Sequence, residues 1–137
     1  MPVTPNSIIT PQTPRAWTCV TSTGSGDIDD DPSNVVLLVT AGANGARITG
    51  LKSIARATIS GMAAHLFLSL DGGTTKRLIR GATLPADTVS TADAPSPYDW
   101  GLSEDNPLIL AAGALLYVGQ GVTLSAGIVH HAEGADY

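Results

Sequence analysis

Three histidines and one cysteine are the side chains that could serve as base, nucleophile or metal ligand in this sequence of 137 residues. His65 interrupts an alternating apolar run, and His130 and His131 are adjacent. Neighbouring residues of a strand point to opposite faces, so His130 and His131 cannot both bind one metal ion. Since no His, Cys or Asp spacing supplies a further ligand, we expect no metal site and no cofactor.

Nucleophilic and glycosidic chemistry are not indicated either. Cys19 lies in a predicted strand, where a small core residue is a more common role than a reactive thiol. Asp99 and Glu104 could form a carboxylate pair of the kind that glycosidases use. A sugar site needs aromatic platforms, however, and only 4% of the residues are aromatic. We therefore expect no catalytic residues and no enzyme.

The densest charge lies in residues 27–34, which begin Asp27-Ile28-Asp29-Asp30-Asp31. Closely spaced carboxylates can bind Ca²⁺, but this run lacks the glycine and the distant glutamate of an EF-hand loop. The sequence leaves two interpretations open, a solvated loop and a cation site, and charge runs of this kind favour the loop.

Composition excludes several classes of partner. The formal net charge is −5, the sequence pI is about 4.8, and the seven basic residues are scattered, which argues against a nucleic-acid partner. The single cysteine cannot form an internal disulfide, as is typical of proteins that fold in a reducing cytoplasm. No apolar run approaches the roughly 20 residues of a membrane span, and no basic start precedes an apolar stretch, so we expect neither membrane insertion nor a Sec signal.

The apolar pattern predicts an all-β domain. Residues 108–110, 115–119 and 128–131 are short apolar runs separated by Gly-rich breaks, as in consecutive antiparallel strands. Residues 64–70 alternate between apolar and other side chains, and the turn at 71–75 returns the chain through 76–80 as a hairpin. Three basic residues on the return strand favour an exposed edge.

The remaining elements are predicted less directly. Residues 35–40 are apolar on both faces, which favours a central strand. Residues 47–59 predict a strand with a bulge near Gly50. The other predicted elements are a first strand at 16–23, a tight reversal at Asn44-Gly45, a long loop at 81–97 and a short strand at 98–102. About eight strands result, which predicts an antiparallel β-sandwich or jelly roll over residues 16–137.

Residues 1–15 predict an extended arm that precedes this domain. Proline fixes φ and removes a donor, so a segment with prolines at 2, 5, 11 and 14 can be neither helix nor central strand. The apolar pair at 8 and 9 needs cover from the chain's own body or from a neighbouring subunit, unless the terminus is frayed. For Trp17 a plain core position is the alternative to an anchor at the root of the arm. The predicted partner-binding residues are Val3, Pro5, Ile8, Ile9, Pro11, Pro14 and Trp17.

Five segments, namely residues 6–14, 40–47, 69–79, 115–119 and 132–137, together resemble small virion proteins of tailed bacteriophages. The resemblance runs over most of the chain. It implies a capsid decoration, or cement, protein: a small β-domain, commonly trimeric, that sits on the assembled shell and holds neighbouring capsomers together. It implies no catalytic residues. The protein would be made in the host bacterial cytoplasm and reside on the capsid surface of the virion.

The leading hypothesis is therefore a non-enzymatic virion structural protein that acts as a homo-oligomer, with a trimer favoured, and binds the major capsid protein or other virion proteins. One alternative is another virion component, such as a head fibre, collar or tail protein. A second is a carbohydrate- or receptor-binding module that uses residues 81–107 with Tyr98 and Trp100. An exposed, stacked pair of these two rings would favour that module, and their burial would count against it.

Overall fold

The computed structural model describes residues 11–137, which form two antiparallel sheets packed face to face. No helix long and apolar enough to cross a membrane is found among these residues. The predicted all-β antiparallel sandwich is confirmed, while the jelly-roll alternative stays a prediction. The strands of the described part are β1 (Thr13–Thr21), β2 (Val36–Thr40), β3 (Ala46–Ala55), β4 (Met62–Ser69), β5 (Arg77–Leu84), β6 (Tyr98–Asp99), β7 (Leu108–Leu110), β8 (Leu115–Gln120) and β9 (Ile128–Asp136).

The first sheet has the strand order β1-β9-β3-β6, with β7 also paired to β3, and the second sheet has the order β2-β8-β4-β5. The core lies between the sheets and consists mainly of aliphatic side chains that alternate along each strand. Ile48 and Ile128 from the first sheet, and Leu66 and Leu116 from the second, are fully buried. Burial of these side chains is the main stabilising contribution to the sandwich.

Several predicted elements are confirmed. The predicted hairpin is β4 and β5, and β5 lies at the edge of its sheet, as its basic residues indicated. The register of β3 against β9 changes between Ile48 and Gly50, where the bulge was expected. Gly45 has a positive φ of 92°, and its N–H donates to the Gly42 carbonyl at 3.0 Å, so this reversal is tight.

The prediction of a central strand at residues 35–40 is wrong. β2 lies at the edge of the second sheet. An irregularity between Leu37 and Val39 explains the pattern, because it allows Leu38 and Val39 to be buried in succession. Leu37, in contrast, is 42% exposed. The apolar character of both faces therefore reflects a bulged edge strand rather than cover on both sides.

Two boundaries also differ from prediction. β5 continues to Leu84, so the predicted loop at 81–97 begins later. β1 begins at Thr13 rather than at residue 16, and Pro14 pairs in register with Ala135. Pro14 is tolerated there because β1 is an edge strand with a partner on one side only.

Candidate interaction surface

The outer side of the first sheet carries small, apolar and charged side chains that alternate with the core residues of β1, β9 and β3. Its register aligns them in rows across the three strands. We call this surface the open face. Its residues are Pro14, Ala16, Thr18 and Val20 of β1, Val129, His131, Glu133 and Ala135 of β9, and Arg47, Thr49, Lys52 and Ile54 of β3.

One row of the open face is apolar. Val20 pairs with Val129, and Val129 pairs with Ile54 on its other side. Val20 is 40% exposed, although a branched aliphatic side chain on a strand usually gains from cover. The next row joins Thr18, His131 and Lys52 and is polar. An apolar row bordered by polar residues is the pattern of a protein contact surface.

A groove with a volume of about 570 Å³ lies at the end of the open face where the chain enters β1. Its lining includes three small residues, Ala16, Gly134 and Ala135, and the prolines Pro11 and Pro14. We call it the β1–β9 groove. Gly134 is required for its shape, because a Cβ there would overlap the Arg47 carbonyl group of the neighbouring strand. Such close approach of two backbones accompanies the bulge in β3.

Charged residues at the groove are held by hydrogen bonds and ion pairs. Arg47 Nη2 donates to the Glu104 carbonyl at 2.6 Å, and the same nitrogen lies 3.6 Å from Glu104 Oε2. Arg47 Nε is buried and has no hydrogen-bond partner in the described part of the chain. Arg15 Nη1 lies 2.7 Å from Asp136 Oδ2, with its guanidinium carbon 5.6 Å from the Trp17 ring centre. Arg15 alternates with Pro14 and Ala16, so its side chain lies on the side of Trp17 and Asp136. Arg47 is therefore the guanidinium that faces the groove, beside the carboxylates of Glu104 and Glu133.

The predicted partner-binding residues fall into three groups. Pro11 and Pro14 line the β1–β9 groove. Trp17 is only 7% exposed and belongs to the core, so it can hold the root of the arm but offers little surface to a partner. The residues outside the described part of the chain are Val3, Pro5, Ile8 and Ile9. The structure brings together the end of the arm and a groove, and partner binding by these residues stays a prediction.

A buried polar row that the sequence patterns did not predict crosses the core. Trp100 Nε1 donates to Ser53 Oγ at 2.8 Å, and Ser53 Oγ lies 2.7 Å from His130 Nδ1. On the other side of the ring, His130 Nε2 lies 2.9 Å from Thr21 Oγ1. Thr21 Oγ1 donates to Gln120 Oε1 at 2.5 Å. The row therefore links the first sheet to β8 of the second.

The row has one consistent arrangement of protons. The Trp100 indole can only donate, so Ser53 accepts from it and donates its own proton to His130 Nδ1. His130 is then neutral with its proton on Nε2, which donates to Thr21. Gln120 Nε2 completes the row by donating to the carbonyls of Ser22 at 3.0 Å and Val122 at 2.8 Å. Burial lowers the pKa of His130 to about 4, which keeps this neutral form at neutral pH.

Ser53 and His130 have the separation of a nucleophile and a base, but their surroundings differ from those of a catalytic pair. A hydroxyl, Thr21, occupies the position at which a triad has an orienting carboxylate. Ser53 is 1% exposed and accepts from Trp100, so attack on a substrate would require the core to open. The row satisfies buried polar groups. One sequence feature did point to this row: His130 occupies the same face of its strand as the core residues Ile128 and Ala132.

The other chemical candidates are dispersed. Burial raises the pKa of the Cys19 thiol to about 11, so the thiol stays protonated at neutral pH. Residues 11–137 contain no group of three or more His, Cys, Asp or Glu side chains placed to hold a metal ion. Within the acidic run, Asp30 is engaged by the second sheet: its carbonyl accepts from Lys76 N–H at 2.9 Å, and its Oδ1 lies 3.2 Å from Arg77 Nε.

The rings proposed for sugar binding do not form a stacked platform. Trp100 is 8% exposed, and Tyr98 meets it edge to face at an interplanar angle of 85°. The indole nitrogen points into the buried polar row. A cavity of about 170 Å³ lies beside Tyr98 and Ser53, but a sugar ring stacks on a flat, exposed aromatic face, which Trp100 does not offer.

Comparison of the chain with protein-family models, with curated proteins and with solved structures found no match.

Proposed function

We propose that this chain is a non-enzymatic structural protein of a bacteriophage virion, a capsid decoration protein that works as a homo-oligomer. The observation that carries the proposal is the continuity of three features: an open β-sheet face, a groove at its end, and a proline-marked arm that enters β1 at that groove. A surface of this kind suits assembly, because it combines a rigid sheet with a segment that can reach a neighbour.

The mechanism would be mechanical. Copies that bury apolar surface across the seams between capsomers add contacts that internal pressure must break before the shell opens. A stable protein interface buries roughly 1,600 Å² in total, and repeated contacts multiply a weak individual affinity. The apolar row of Val20, Val129 and Ile54 would supply burial, while the flanking polar row would set orientation.

The partners would be the major capsid protein and other copies of this chain, with a trimer favoured. A cyclic oligomer suits an arm that leaves one subunit and enters the next, because this head-to-tail contact closes into a ring. The rigid sandwich would act as a spacer that fixes where each arm and each open face points.

The test is co-sedimentation with capsids, lacking this protein, of the phage whose genome encodes it. Three proteins are compared: the full chain, a variant lacking residues 2–10, and Val20→Lys, which places a charge in the apolar row. Thr83→Lys is the matched control, since Thr83 is exposed on β5 of the other sheet. We expect the full chain and the control to pellet with capsids, and the truncated variant and V20K to stay largely in the supernatant.

If none of the proteins pellets with capsids, the decoration role fails. The same assay with purified tails and collars would then test the other virion locations. If the full chain and V20K pellet equally, the open face is not the capsid-binding surface and the mechanism proposed for it is wrong.

A further inference from the structure

We propose that the β1–β9 groove receives residues 2–10 of a second copy of this chain. The inference rests on the proposed role in assembly and names the surface through which copies join. In an oligomer each copy would then give its arm to one neighbour and accept the arm of another. Four observations support this occupant: the place where β1 begins, the hydrogen-bonding groups in the groove, the size of its floor, and charge.

β1 begins at the end of its own sheet, where Thr13 pairs with Asp136, the last residue of β9. The Gln12 N–H donates to the Asp136 carbonyl at 2.8 Å, and β9 ends at Asp136. The described part of the first sheet thus offers no strand beside the residues that precede Gln12. The prolines at positions 5 and 11 also favour extended backbone in the residue before each of them. These features favour a neighbouring copy over the chain's own groove.

The polar groups of the groove complement an extended proline-containing segment. Such a segment has carbonyl acceptors without internal donors, and each proline removes one N–H. The groove contributes one donor, because Arg47 Nε is buried and has no hydrogen-bond partner in residues 11–137. Arg47 also holds its position through Glu104, so this donor is fixed before binding. A peptide carbonyl seated beside Arg47 would satisfy it.

The apolar groups are complementary as well. The groove is broad and its floor is low, because Ala16, Gly134 and Ala135 have small side chains or none. The groove has a volume of about 570 Å³ and is open to solvent. In an extended segment Ile8 and Ile9 point to opposite sides, so one of the two would face such a floor and lose contact with water.

Charge does not oppose this pairing. Residues 2–10 contain no charged side chain, so they meet neither Arg47 nor Glu104 and Glu133 with like charge. The polar side chains of Thr4, Asn6 and Ser7 can donate to the two carboxylates. An acidic or basic peptide would be repelled by one of the two sets of charges.

Disulfide trapping between separately purified variants tests the inference. Asn6→Cys and Ala135→Cys are each made in a Cys19→Ser background, mixed, and oxidised mildly. Asn6 lies five residues before Pro11, so an extended arm places it up to about 17 Å from the rim of its own groove. Thr83→Cys, on the opposite sheet, replaces A135C in the control mixture. The products are resolved by non-reducing electrophoresis and identified by mass spectrometry of the linked peptides.

We expect the N6C–A135C heterodimer to form at least about tenfold faster than the N6C–T83C heterodimer, because docking raises the local concentration of the two thiols. Equal rates in the two mixtures would overturn the inference. A single chain carrying both N6C and A135C separates the remaining case: if its disulfide forms within the chain at any dilution, the arm occupies its own groove and the inference is wrong.

A charge placed in the groove gives a second measurement that does not depend on disulfide geometry. In this measurement N6C is mixed with a variant that carries Ala16→Cys. Adding Ala135→Glu to the A16C variant should abolish its faster disulfide formation with N6C, whereas adding Thr83→Glu should leave that rate unchanged. No capsid is used in these experiments. Failure of capsid binding would therefore leave arm exchange standing, and failure of arm exchange would leave capsid binding by the open face standing.

Discussion

The two sheets share one core, but their outer sides differ in how far they are exposed to solvent. On the second sheet, Phe67 points away from the core shared with the first sheet and is nevertheless 0% exposed. On the first sheet, Val20 holds a comparable outward position and is 40% exposed. The difference comes from residues 22–35, which cross the outer side of the second sheet. We call this segment the strap.

The strap is held at two points along its path. Ser25 N–H donates to the Gln120 carbonyl at 2.7 Å on β8, and the Asp30 carbonyl accepts from Lys76 N–H beside β5 at 2.9 Å. The strap also lies close to β8, because a Cβ added at Gly119 would be 2.9 Å from Val35 Cγ1. An alternating strand therefore does not reveal which of its faces is buried. The covering segment decides, and the first sheet has no such cover among the described residues.

Phe67→Ala should give the largest effect, because it empties space between the second sheet and the strap. We expect a loss of about 3–5 kcal/mol in the free energy of unfolding, measured by urea denaturation. Val129→Ala is the matched change on the open face and should cost less than about 1 kcal/mol. Similar losses for the two variants would show that the outer sides do not differ in solution.

The pH dependence of stability should distinguish the two sides of β9. His130 has a lowered pKa of about 4, so between pH 6.5 and pH 4 the unfolded chain binds its proton and the folded chain does not. Above pH 6.5 the neutral His130 ring makes its full contribution to the free energy of unfolding. About 3 kcal/mol of that contribution is lost as the pH falls to 4.

Comparing unfolding free energies at pH 7 and pH 5 limits the effect of carboxylates, which titrate mostly at lower pH. His130→Gln should flatten the pH dependence in this interval, at some cost in stability. His131→Gln, one residue along on the open face, should leave it in place. If His131→Gln, and not His130→Gln, flattens the pH dependence of the unfolding free energy, the assignment of the buried neutral ring to His130 is wrong.

Gly119→Ala should have an intermediate effect by pushing against the strap. The added methyl group meets Val35 at 2.9 Å, and overpacking of this kind costs about 1–3 kcal/mol. Gly121→Ala is the control, because its nearest neighbour would be the Ala63 carbonyl oxygen at 3.5 Å, an ordinary contact. Hydrogen exchange of the amides in residues 24–34 should increase in G119A only. Unchanged exchange there would mean that the strap does not rest on Gly119.

The smallest effect is expected where the middle of the strap meets β5. Arg77 and Asp30 form an ion pair at 3.2 Å, but their side chains are 70% and 62% exposed. Arg77→Gln should therefore change the unfolding free energy by less than about 1 kcal/mol, and added salt should reduce even that. A larger loss would indicate that the ion pair, rather than cover over Phe67, holds the strap in place.

Local patterns predicted much of the fold. Alternation at residues 64–70 and the breaks between the last three strands were sufficient to place β4, β7, β8 and β9, because each signal lies within a few residues. The edge position of β2 was not predictable in this way, since it depends on which strands pair, and the irregularity of β2 lies in its pairing with β8, which is distant in sequence. The burial of Phe67 likewise depends on the strap, which is distant from it in sequence.

The candidate surface was predicted only in part. Proline spacing identified the arm, and Pro11 and Pro14 do line a groove. The groove itself needs Ala135 and Gly134 of β9 beside Arg47 of β3, residues that only the strand pairing brings together. The buried polar row was hidden for the same reason, because Ser53, Thr21 and Gln120 are unremarkable residues in sequence.

The buried polar row also selects among alternative strand alignments. β9 contains small residues at Ala132, Gly134 and Ala135, and strands of this composition can slide against their neighbours. A displacement of β9 by one residue would turn His131 or Val129 toward Ser53 and Thr21 and leave several buried donors and acceptors unmatched. Because each unmatched group costs about 1–3 kcal/mol, misaligned sandwiches would be disfavoured while the chain folds. The native alignment is thus the one in which every donor of the row finds its acceptor.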